Sequence, residues 1–287
     1  MKAGTYILFI TISVALIFSL QYGGFNLYGQ SASNGHIIVK GHGPALSNVV
    51  YSLNWAGYVA ASSFSSPSAT VSSVSGSWIV QTANPTKKST YSAQWIGIGG
   101  YFSNDNSLIQ TGTSSDYSNG ASYYAWYELL PASETQITNL IIRPGDNISA
   151  SIKEIKSFGS VQEWNITIKD VTSKETFSKL VNYSSSMLSA EWIEERPAFC
   201  TAVMCRLTTL SDFGTAYYGM DYTNVPFTNY ATISGTSGYI GDFNNQDIVM
   251  VNNNGAVIAS PSSLNTNGSS FTVQEPSSSS PHGGKNK

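Results

Sequence analysis

The chain has 287 residues, enough for one large all-β domain or two domains of ordinary size. It carries 14 Lys and Arg against 17 Asp and Glu, a net charge of −3, and only 11% of its residues are charged. Nucleic acid is excluded as the expected partner, because phosphate binding needs clustered bases. The 41% hydrophobic and 12% aromatic residues argue against disorder over most of the length.

The low charge also bears on the stability of the protein in acid. With 14 Lys and Arg and 3 His, little positive charge accumulates when carboxylates are protonated in acid, so self-repulsion stays low. This favours acid tolerance. A secreted β-rich protein that covers its surface with hydroxyls and amides would have the same composition.

Residues 1–33 have the pattern of a signal peptide. Lys2 precedes an apolar run at 7–20, and small and polar residues follow at 29–33. The run is short for a membrane span, which needs about 20 apolar residues. We therefore expect a secreted protein with no membrane contact after signal removal, the alternative being an uncleaved anchor.

Residues 34–48 precede the first predicted strand and read as an N-terminal extension or short pro-segment. They contain His36, Lys40 and His42. We predict that this segment shields the active site at neutral pH, and that protonation of the two histidines below about pH 6 alters its docking.

One β-rich domain is predicted over residues 49–274, because short β-type runs are separated there by Gly, Asn, Ser and Pro at intervals typical of a sandwich or barrel. A short helix is expected at 179–188, and 275–287 read as a flexible Ser/Pro/Gly tail. The predicted strands are 50–60, 76–81, 92–98, 107–112, 122–130, 148–152, 163–171, 190–194, 207–218, 230–234 and 247–252.

The two cysteines, Cys200 and Cys205, are spaced C-x4-C. Disulfides persist outside the cell, so an exported chain with two close cysteines is expected to form one small-loop bridge. A metal site lacks further ligands, because there is no other Cys and the three His lie in the flanks. We therefore expect neither metal nor cofactor.

Several catalytic classes are excluded by missing residues. A Ser–His–Asp or Cys–His site needs a histidine within the fold, and no G-x-S-x-G, H-E-x-x-H or dinucleotide-binding glycine motif is present. What remains are polar residues in apolar strands: Gln110, Glu191, and Glu128 on the same strand face as Trp126. Taken singly, such a Gln or Glu is typical of the wet side of a sheet, and a Trp of a core.

Seven strings taken together resemble the glutamic peptidases of family G1, the eqolisins. Each string is weak alone, but their order and approximate spacing agree from about residue 54 to 220. They are NWAGY (54–58), SGSWIV (75–80), WIGIGG (95–100), LIQTGT (108–113), AWYELLP (125–131), AEWIEERP (190–197) and DFG (212–214).

The resemblance implies an antiparallel β-sandwich, concanavalin- or jelly-roll-like, with a concave active-site sheet. It implies acid endopeptidase activity with Gln110 and Glu191 as the catalytic pair. Trp95 and Trp126 fall on substrate-binding positions of the cleft, and Glu128 on their acidic companion. Polypeptides are the implied substrates, and we expect a monomer.

The chain also departs from the family pattern. The family commonly has Asp where Gly99 stands, and acidic residues near Ser114 and Tyr124, which bears on subsite preference. The region after Tyr222 is longer than expected and is predicted to add strands or cover the cleft.

Two alternatives stay open at this point. A glycoside hydrolase on a similar sandwich would use Glu128 and Glu191 as paired carboxylates, with Gln110 replaceable. A lectin-like module would use the same aromatic face to bind sugars without turnover.

Overall fold

The computed structural model describes residues 48–200 and 205–276, without the side chain of Cys200. The predicted signal peptide, residues 34–47 of the predicted extension and most of the predicted tail lie outside the described residues. Nearly all regular structure in the described part is β, which confirms the predicted fold class. The strands are β1 (Val49–Ser52), β2 (Trp55–Ala61), β3 (Val71–Ile79), β4 (Ala93–Ile98), β5 (Ile109–Tyr117), β6 (Ala121–Leu129), β7 (Thr135–Ile137), β8 (Asn147–Phe158), β9 (Val161–Asp170), β10 (Thr176–Tyr183), β11 (Ser189–Glu195), β12 (Ala198–Cys200), β13 (Cys205–Leu207), β14 (Thr215–Tyr218), β15 (Tyr230–Ile233), β16 (Thr236–Tyr239), β17 (Asn244–Val251), β18 (Val257–Pro261) and β19 (Phe271–Gln274).

Two short helical segments accompany the strands, α1 (Met220–Thr223) and a 3₁₀ turn (Ile240–Asp242). Neither of these helices in the described part of the chain is long or apolar enough to cross a membrane.

The first set of strands, here called the site sheet, runs in the order β1–β17–β2–β11–β4–β5–β6–β7. All of its pairings are antiparallel except β1 with β17, which is parallel. Every residue of β2, β4 and β11 is buried. The centre of this sheet is therefore covered on both faces.

The second set, here called the back sheet, runs β10–β9–β8–β3. Beyond β3 it divides, because β3 pairs with β15 along one half and with β14 along the other. β15 continues to β16, and β14 continues to β19 and β18. β18 also pairs with β17 of the site sheet, so this one strand connects the two sheets.

The main core lies between the two sheets, and tryptophans tie them together. The Trp192 Nε1 of β11 donates a hydrogen bond of 2.8 Å to the carbonyl of Ser75 in β3. The Trp78 Nε1 of β3 donates one of 2.8 Å to the Thr113 hydroxyl of β5. A buried indole needs such a partner for its N–H, so each bond fixes one sheet against the other as well as filling volume.

A second apolar cluster covers the opposite face of the site sheet. It includes Trp55, Val59, Trp95, Trp126 and Ile193, all fully buried. Successive residues of a strand point to opposite faces, so these side chains alternate with those of the main core. The candidate site lies on this second face.

The helix predicted at 179–188 is wrong. Residues 176–183 form β10, an edge strand that pairs antiparallel with β9 from Thr176↔Lys169 to Tyr183↔Gln162. Most of β10 is exposed, so it shows little apolar alternation to identify it as a strand. The predicted strand 207–218 is also wrong as a continuous element, because it is divided between β13 and β14.

Candidate active site

One lateral row of side chains crosses six strands of the site sheet. The register pairs Gln246 with Val59, Val59 with Glu191, and Glu191 with Gly97. It then pairs Gly97 with Gln110 and Gln110 with Glu128. Residues directly opposite each other on neighbouring strands share a face. The structure thus places three of the predicted site residues, from three separate segments of sequence, in a single line. From β17 to β6, the residues of the row are Gln246, Val59, Glu191, Gly97, Gln110 and Glu128.

The amide of Gln110 is oriented by Glu128. Its Nε2 donates to the Glu128 Oε2 at 2.6 Å, while its Oε1 is buried without a hydrogen-bond partner among the described residues. A carboxylate accepts and does not donate, so this contact fixes which end of the amide is nitrogen. The second N–H and the carbonyl oxygen of Gln110 take no part in this contact and are available to other hydrogen-bond partners.

Gly97 separates Gln110 from Glu191. Neighbouring strands lie about 4.8 Å apart, so the strands that carry the two polar residues are about 10 Å apart, and the strand between them contributes no side chain at this position. A Cβ at this position would come within 2.9 Å of Leu108 Cδ1 and of Trp95 Cζ3. Sequence analysis did not identify Gly97 as part of the site. A glycine inside an apolar strand is itself a signal of close approach by another group.

Glu191 is a fully buried carboxyl group, with 0% of its surface exposed. Burial raises its pKa well above the ordinary value, and the nearby Asp105 carboxylate acts in the same direction. Ser189 lies two residues earlier on the same strand face, but neither its hydroxyl nor either Glu191 oxygen makes a hydrogen bond of good geometry among the described residues. Burial therefore favours the protonated form of Glu191.

Asp105 lies in the loop that follows β4 and is held by donors from that loop and from Ser186. Its Oδ2 accepts from the Gly100 backbone N–H at 2.8 Å and from the Ser186 hydroxyl. Its Oδ1 accepts from the Ser107 N–H and hydroxyl at 3.0 and 2.9 Å. These donors fix a second acidic group beside Glu191.

The two predicted cleft tryptophans flank the row on one side. The register pairs Trp95 with Gly112 and Gly112 with Trp126, so a second glycine separates two functional side chains. A Cβ on Gly112 would lie 2.5 Å from Trp95 Cβ and 3.0 Å from Trp126 Cζ2. A larger residue at this position would therefore collide with both tryptophans.

Trp95 is anchored by Glu195, a residue that sequence analysis did not assign to the site. The Trp95 Nε1 donates to Glu195 Oε2 at 2.7 Å, and the Asn54 Nδ2 donates to Glu195 Oε1 at 3.1 Å. Trp55 meets the Trp95 ring edge to face at 4.8 Å. The Asn of the NWAGY string and the last Glu of AEWIEE are the sequence signals that could have identified this anchor.

Tyr101 connects Glu191 with the C-terminal region. Its hydroxyl donates to Gln246 Oε1 of β17 at 2.6 Å. Burial, followed by the Glu191 carboxylate, raises the pKa of Tyr101. The region after Tyr222, predicted to add strands or cover the cleft, thus adds β17 to the site sheet beside β2.

Groups of three or more His, Cys, Asp or Glu able to hold a metal are absent from residues 48–200 and 205–276. Cys200 and Cys205 are direct cross-strand partners in the β12–β13 hairpin. Because the Cys200 side chain lies outside the described residues, the disulfide stays a prediction.

The model of the Peptidase A4 family matches residues 53–275. No curated protein sequence matches the chain. Among solved structures, the chain is similar to scytalido-glutamic peptidase with a transition state analog inhibitor, at 21% identity over 78% of this chain and 98% of that one, with a TM-score of 0.62.

Two further solved structures are similar. SCP-B, a member of the eqolisin family in a complex with the tripeptide Ala-Ile-His, shares 20% identity over 78% of this chain and 98% of its own, with a TM-score of 0.58. Aspergilloglutamic peptidase from Aspergillus niger shares 25% identity over 65% of this chain and 99% of its own, with a TM-score of 0.50.

Proposed function

Because the chain belongs to the Peptidase A4 family, the G1 glutamic peptidases, we propose that it is a secreted, acid-active endopeptidase that hydrolyses peptide bonds with Gln110 and Glu191. The observation that carries the proposal is the lateral row in which Gln110 and Glu191 flank Gly97 on one buried face of the site sheet. A peptide bond placed over Gly97 would have a proton-transferring carboxyl on one side and an amide on the other.

In the proposed reaction, the Glu191 carboxylate takes a proton from water as the water oxygen attacks the scissile carbonyl carbon. The N–H of Gln110 that is not bound to Glu128 donates to the oxyanion that forms. Protonated Glu191 then gives its proton to the amide nitrogen, and the C–N bond breaks. The carboxylate is regenerated, so one carboxyl group serves as base and then as acid, with no metal or cofactor.

Glu128 has a positioning role in this proposal. Its 2.6 Å hydrogen bond holds the Gln110 amide so that the nitrogen and oxygen cannot exchange places. Trp95 and Trp126 would supply apolar walls for the side chains of a bound polypeptide. The tripeptide in the SCP-B structure supports polypeptides as substrates.

The raised pKa of Glu191 sets a condition on this mechanism. A neutral Glu191 cannot accept a proton, so the group must ionise before water is activated. Gln110 and Glu191 are both 0% exposed, which means that substrate and water reach them only after neighbouring groups move. We propose that entry of water with the substrate solvates Glu191 and lowers its pKa toward the ordinary value of about 4.3.

Export and processing belong to the same proposal. Residues 1–33 would direct secretion, and residues 34–48 would be a pro-segment that is cleaved off to give the mature chain. N-terminal sequencing of enzyme activated in acid is expected to find a new start near Asn48. Retention of residues 34–48 on active enzyme would refute the pro-segment.

The test compares three single variants on a denatured protein substrate between pH 2 and pH 7. Glu191→Gln removes the proton acceptor at nearly unchanged shape, and Gln110→Ala removes the oxyanion donor, which in a comparable hydrolase costs about 10²–10³-fold in kcat. Both losses should appear in kcat rather than KM. Glu128→Gln should be milder, because it disturbs only the orientation of the Gln110 amide.

The rival interpretations predict a different order of activity loss among the three variants. A glycoside hydrolase would need Glu128 and Glu191 and would tolerate Gln110→Ala, and it would release sugars from polysaccharides. A lectin-like module would bind without products. Full proteolysis by Gln110→Ala at every pH would overturn the proposed dyad.

A further inference from the structure

We propose that residues 99–107, the loop between β4 and β5, form a hinged cover that closes the dyad, with Tyr101 as the side chain that blocks access to Glu191. This segment is here called the cover loop. The inference rests on the proposed function, because it identifies which part of the protein must move before a polypeptide can enter. The starting observation is that Gln110 and Glu191 are both 0% exposed, so the structure shows the closed form.

Tyr101 covers the Glu191 end of the lateral row. It is 4% exposed and belongs to the apolar cluster on the site face, together with Val59, the neighbour of Glu191 across the sheet. Burial raises the pKa of the Tyr101 hydroxyl, and the nearby Glu191 carboxylate adds to the effect. Phe64 and Phe102, both partly exposed, meet the Tyr101 ring edge to face at 5.8 and 5.2 Å. One phenol ring and two outer aromatic rings thus separate this end of the row from solvent.

A single hydrogen bond attaches the Tyr101 side chain to the C-terminal region. The Tyr101 hydroxyl donates to Gln246 Oε1 of β17 at 2.6 Å. Gln246 is partly exposed, so this bond lies at the margin of the site. The net contribution of a neutral hydrogen bond is modest, because water replaces each partner once the bond is broken. The bond can therefore hold the closed form without making it permanent.

The rest of the cover loop is a compact unit built around Asp105. The Asp105 carboxylate accepts from the Gly100 N–H at 2.8 Å, and from the N–H and hydroxyl of Ser107 at 3.0 and 2.9 Å. The Asp105 N–H donates to the Phe102 carbonyl at 2.9 Å. Because these bonds join the two ends of the loop, residues 100–107 can move as one body. Ser186 holds that body from outside, through its hydroxyl to Asp105 and its N–H to the Ser107 hydroxyl at 2.7 Å.

The cover loop begins at two glycines that can act as its hinge. The Gly99 N–H donates to the Ser189 carbonyl at 3.0 Å, which continues the pairing of β4 with β11 up to this residue. Gly99 and Gly100 then have φ values of +90° and +85°. Glycine adopts either sign of φ at little steric cost, and hinges are residues at the end of an element that absorb such changes. Opening by β4 or β11 themselves would break ladders on both sides of each strand, whereas opening at the hinge breaks few bonds.

The experiment measures access to Glu191 by carboxyl labelling and does not depend on turnover. A water-soluble carbodiimide with glycinamide converts a reachable carboxyl group into an amide, and peptide mass spectrometry gives the rate at each position. Tyr101→Phe keeps the ring but loses the bond to Gln246, so Glu191 should label about 3- to 10-fold faster than in the wild type, the size of one neutral hydrogen bond. Tyr101→Ala removes the ring and should label Glu191 faster still.

Two carboxyl groups of the same molecule control for the fold. Glu175 is exposed and should label at one rate in every protein. Glu194 is 0% exposed in the main core and should stay protected unless the protein unfolds. If Tyr101→Ala labels Glu194 as well, it reports unfolding, and the conservative Tyr101→Phe decides. Tyr217→Phe makes the same exchange at a 38% exposed position on β14 of the back sheet and should leave the labelling of Glu191 unchanged.

Kinetics add a second readout in the active enzyme. Tyr101→Phe should lower KM with kcat nearly unchanged, because apparent affinity is reduced by the small fraction of open molecules. The proposal is overturned if Glu191 labels equally fast in Tyr101→Phe and in the wild type, or if it labels as fast as Glu175 in the wild type. A wild type that cleaves no protein would refute the peptidase assignment, and the labelling rates would still decide whether the cover loop opens.

Discussion

Glu194 provides a test of how the free energy of unfolding of this protein depends on pH. It follows Glu191 on the same strand by three residues and points into the main core, where it is 0% exposed. Gln81 Nε2 donates to its Oε1 at 3.0 Å, and the Tyr218 hydroxyl donates to its Oε2 at 3.3 Å. Burial raises its pKa well above the ordinary value, against the effect of these two bonds and with the help of the Glu275 and Glu195 carboxylates.

The variant Glu194→Gln replaces the protonated acid with an amide of the same shape. The amide oxygen accepts from Gln81 as before, and the new N–H₂ faces the Tyr218 oxygen. In the wild type, a raised folded-state pKa means that the stability contribution is complete below the unfolded pKa of about 4.3 and is lost as pH rises through the folded pKa. The loss is about 1.4 kcal/mol per pH unit for as long as the folded carboxyl keeps its proton.

Urea unfolding of both proteins from pH 3.5 to pH 6.5 measures the difference. The free energies of unfolding should agree within about 1 kcal/mol at the acid end and diverge above pH 4.3, with the variant the more stable. Above pH 4.3 the gap should widen by up to about 1.4 kcal/mol per pH unit until the folded carboxyl ionises. Glu175→Gln, which removes a charge from an exposed loop, controls for net charge. Parallel curves for wild type and Glu194→Gln over the whole range would refute a protonated Glu194.

Three further predictions concern the site and its support. Gly97→Ala should lower kcat/KM on the order of 100-fold with folding retained, because the new Cβ presses on Leu108 and fills the space where the peptide bond would lie. Wild-type kinetics in this variant would show that the substrate does not lie over Gly97. The acid limb of the kcat/KM profile should lie above pH 4.3, because that limb reports Glu191 in the free enzyme, whose pKa is raised; a limb at or below 4.3 would contradict it. Mass measurement after non-reducing alkylation should find Cys200 and Cys205 unmodified, whereas two labelled thiols would exclude the bridge.

The sequence predicted the central strands from runs of β-type residues bounded by Gly, Asn, Ser and Pro. The strand that carries Glu191, β11, is buried along its whole length, and the alternation that set Trp126 on the opposite face from Ala125 and Tyr127 is observed. Strand period alone therefore placed these side chains correctly within their own strands.

The lateral row could not be predicted, because it depends on register between strands far apart in sequence. Gln246 joins the row only through the pairing of β17 with β2, and nothing local to Gln246 marks that pairing. The roles of Gly97 and Gly112 can be recognised only when the residues opposite them on the neighbouring strands are known. The edge strand β10 was missed because an exposed edge needs no apolar alternation to be stable once it pairs with β9.

The strand that joins the two sheets has a consequence for biosynthesis. β18 pairs with β17 on one side and β19 on the other, and all three follow the other strands in chain order, although β17 pairs with β2 near the start of the fold. Pairing between strands so far apart in sequence is slow to form, and it cannot start before β17 has been made. A nascent chain that still lacks these strands has neither β17 beside β2 nor a closed connection between the sheets. The topology thus delays completion of the site sheet until β17 has been made.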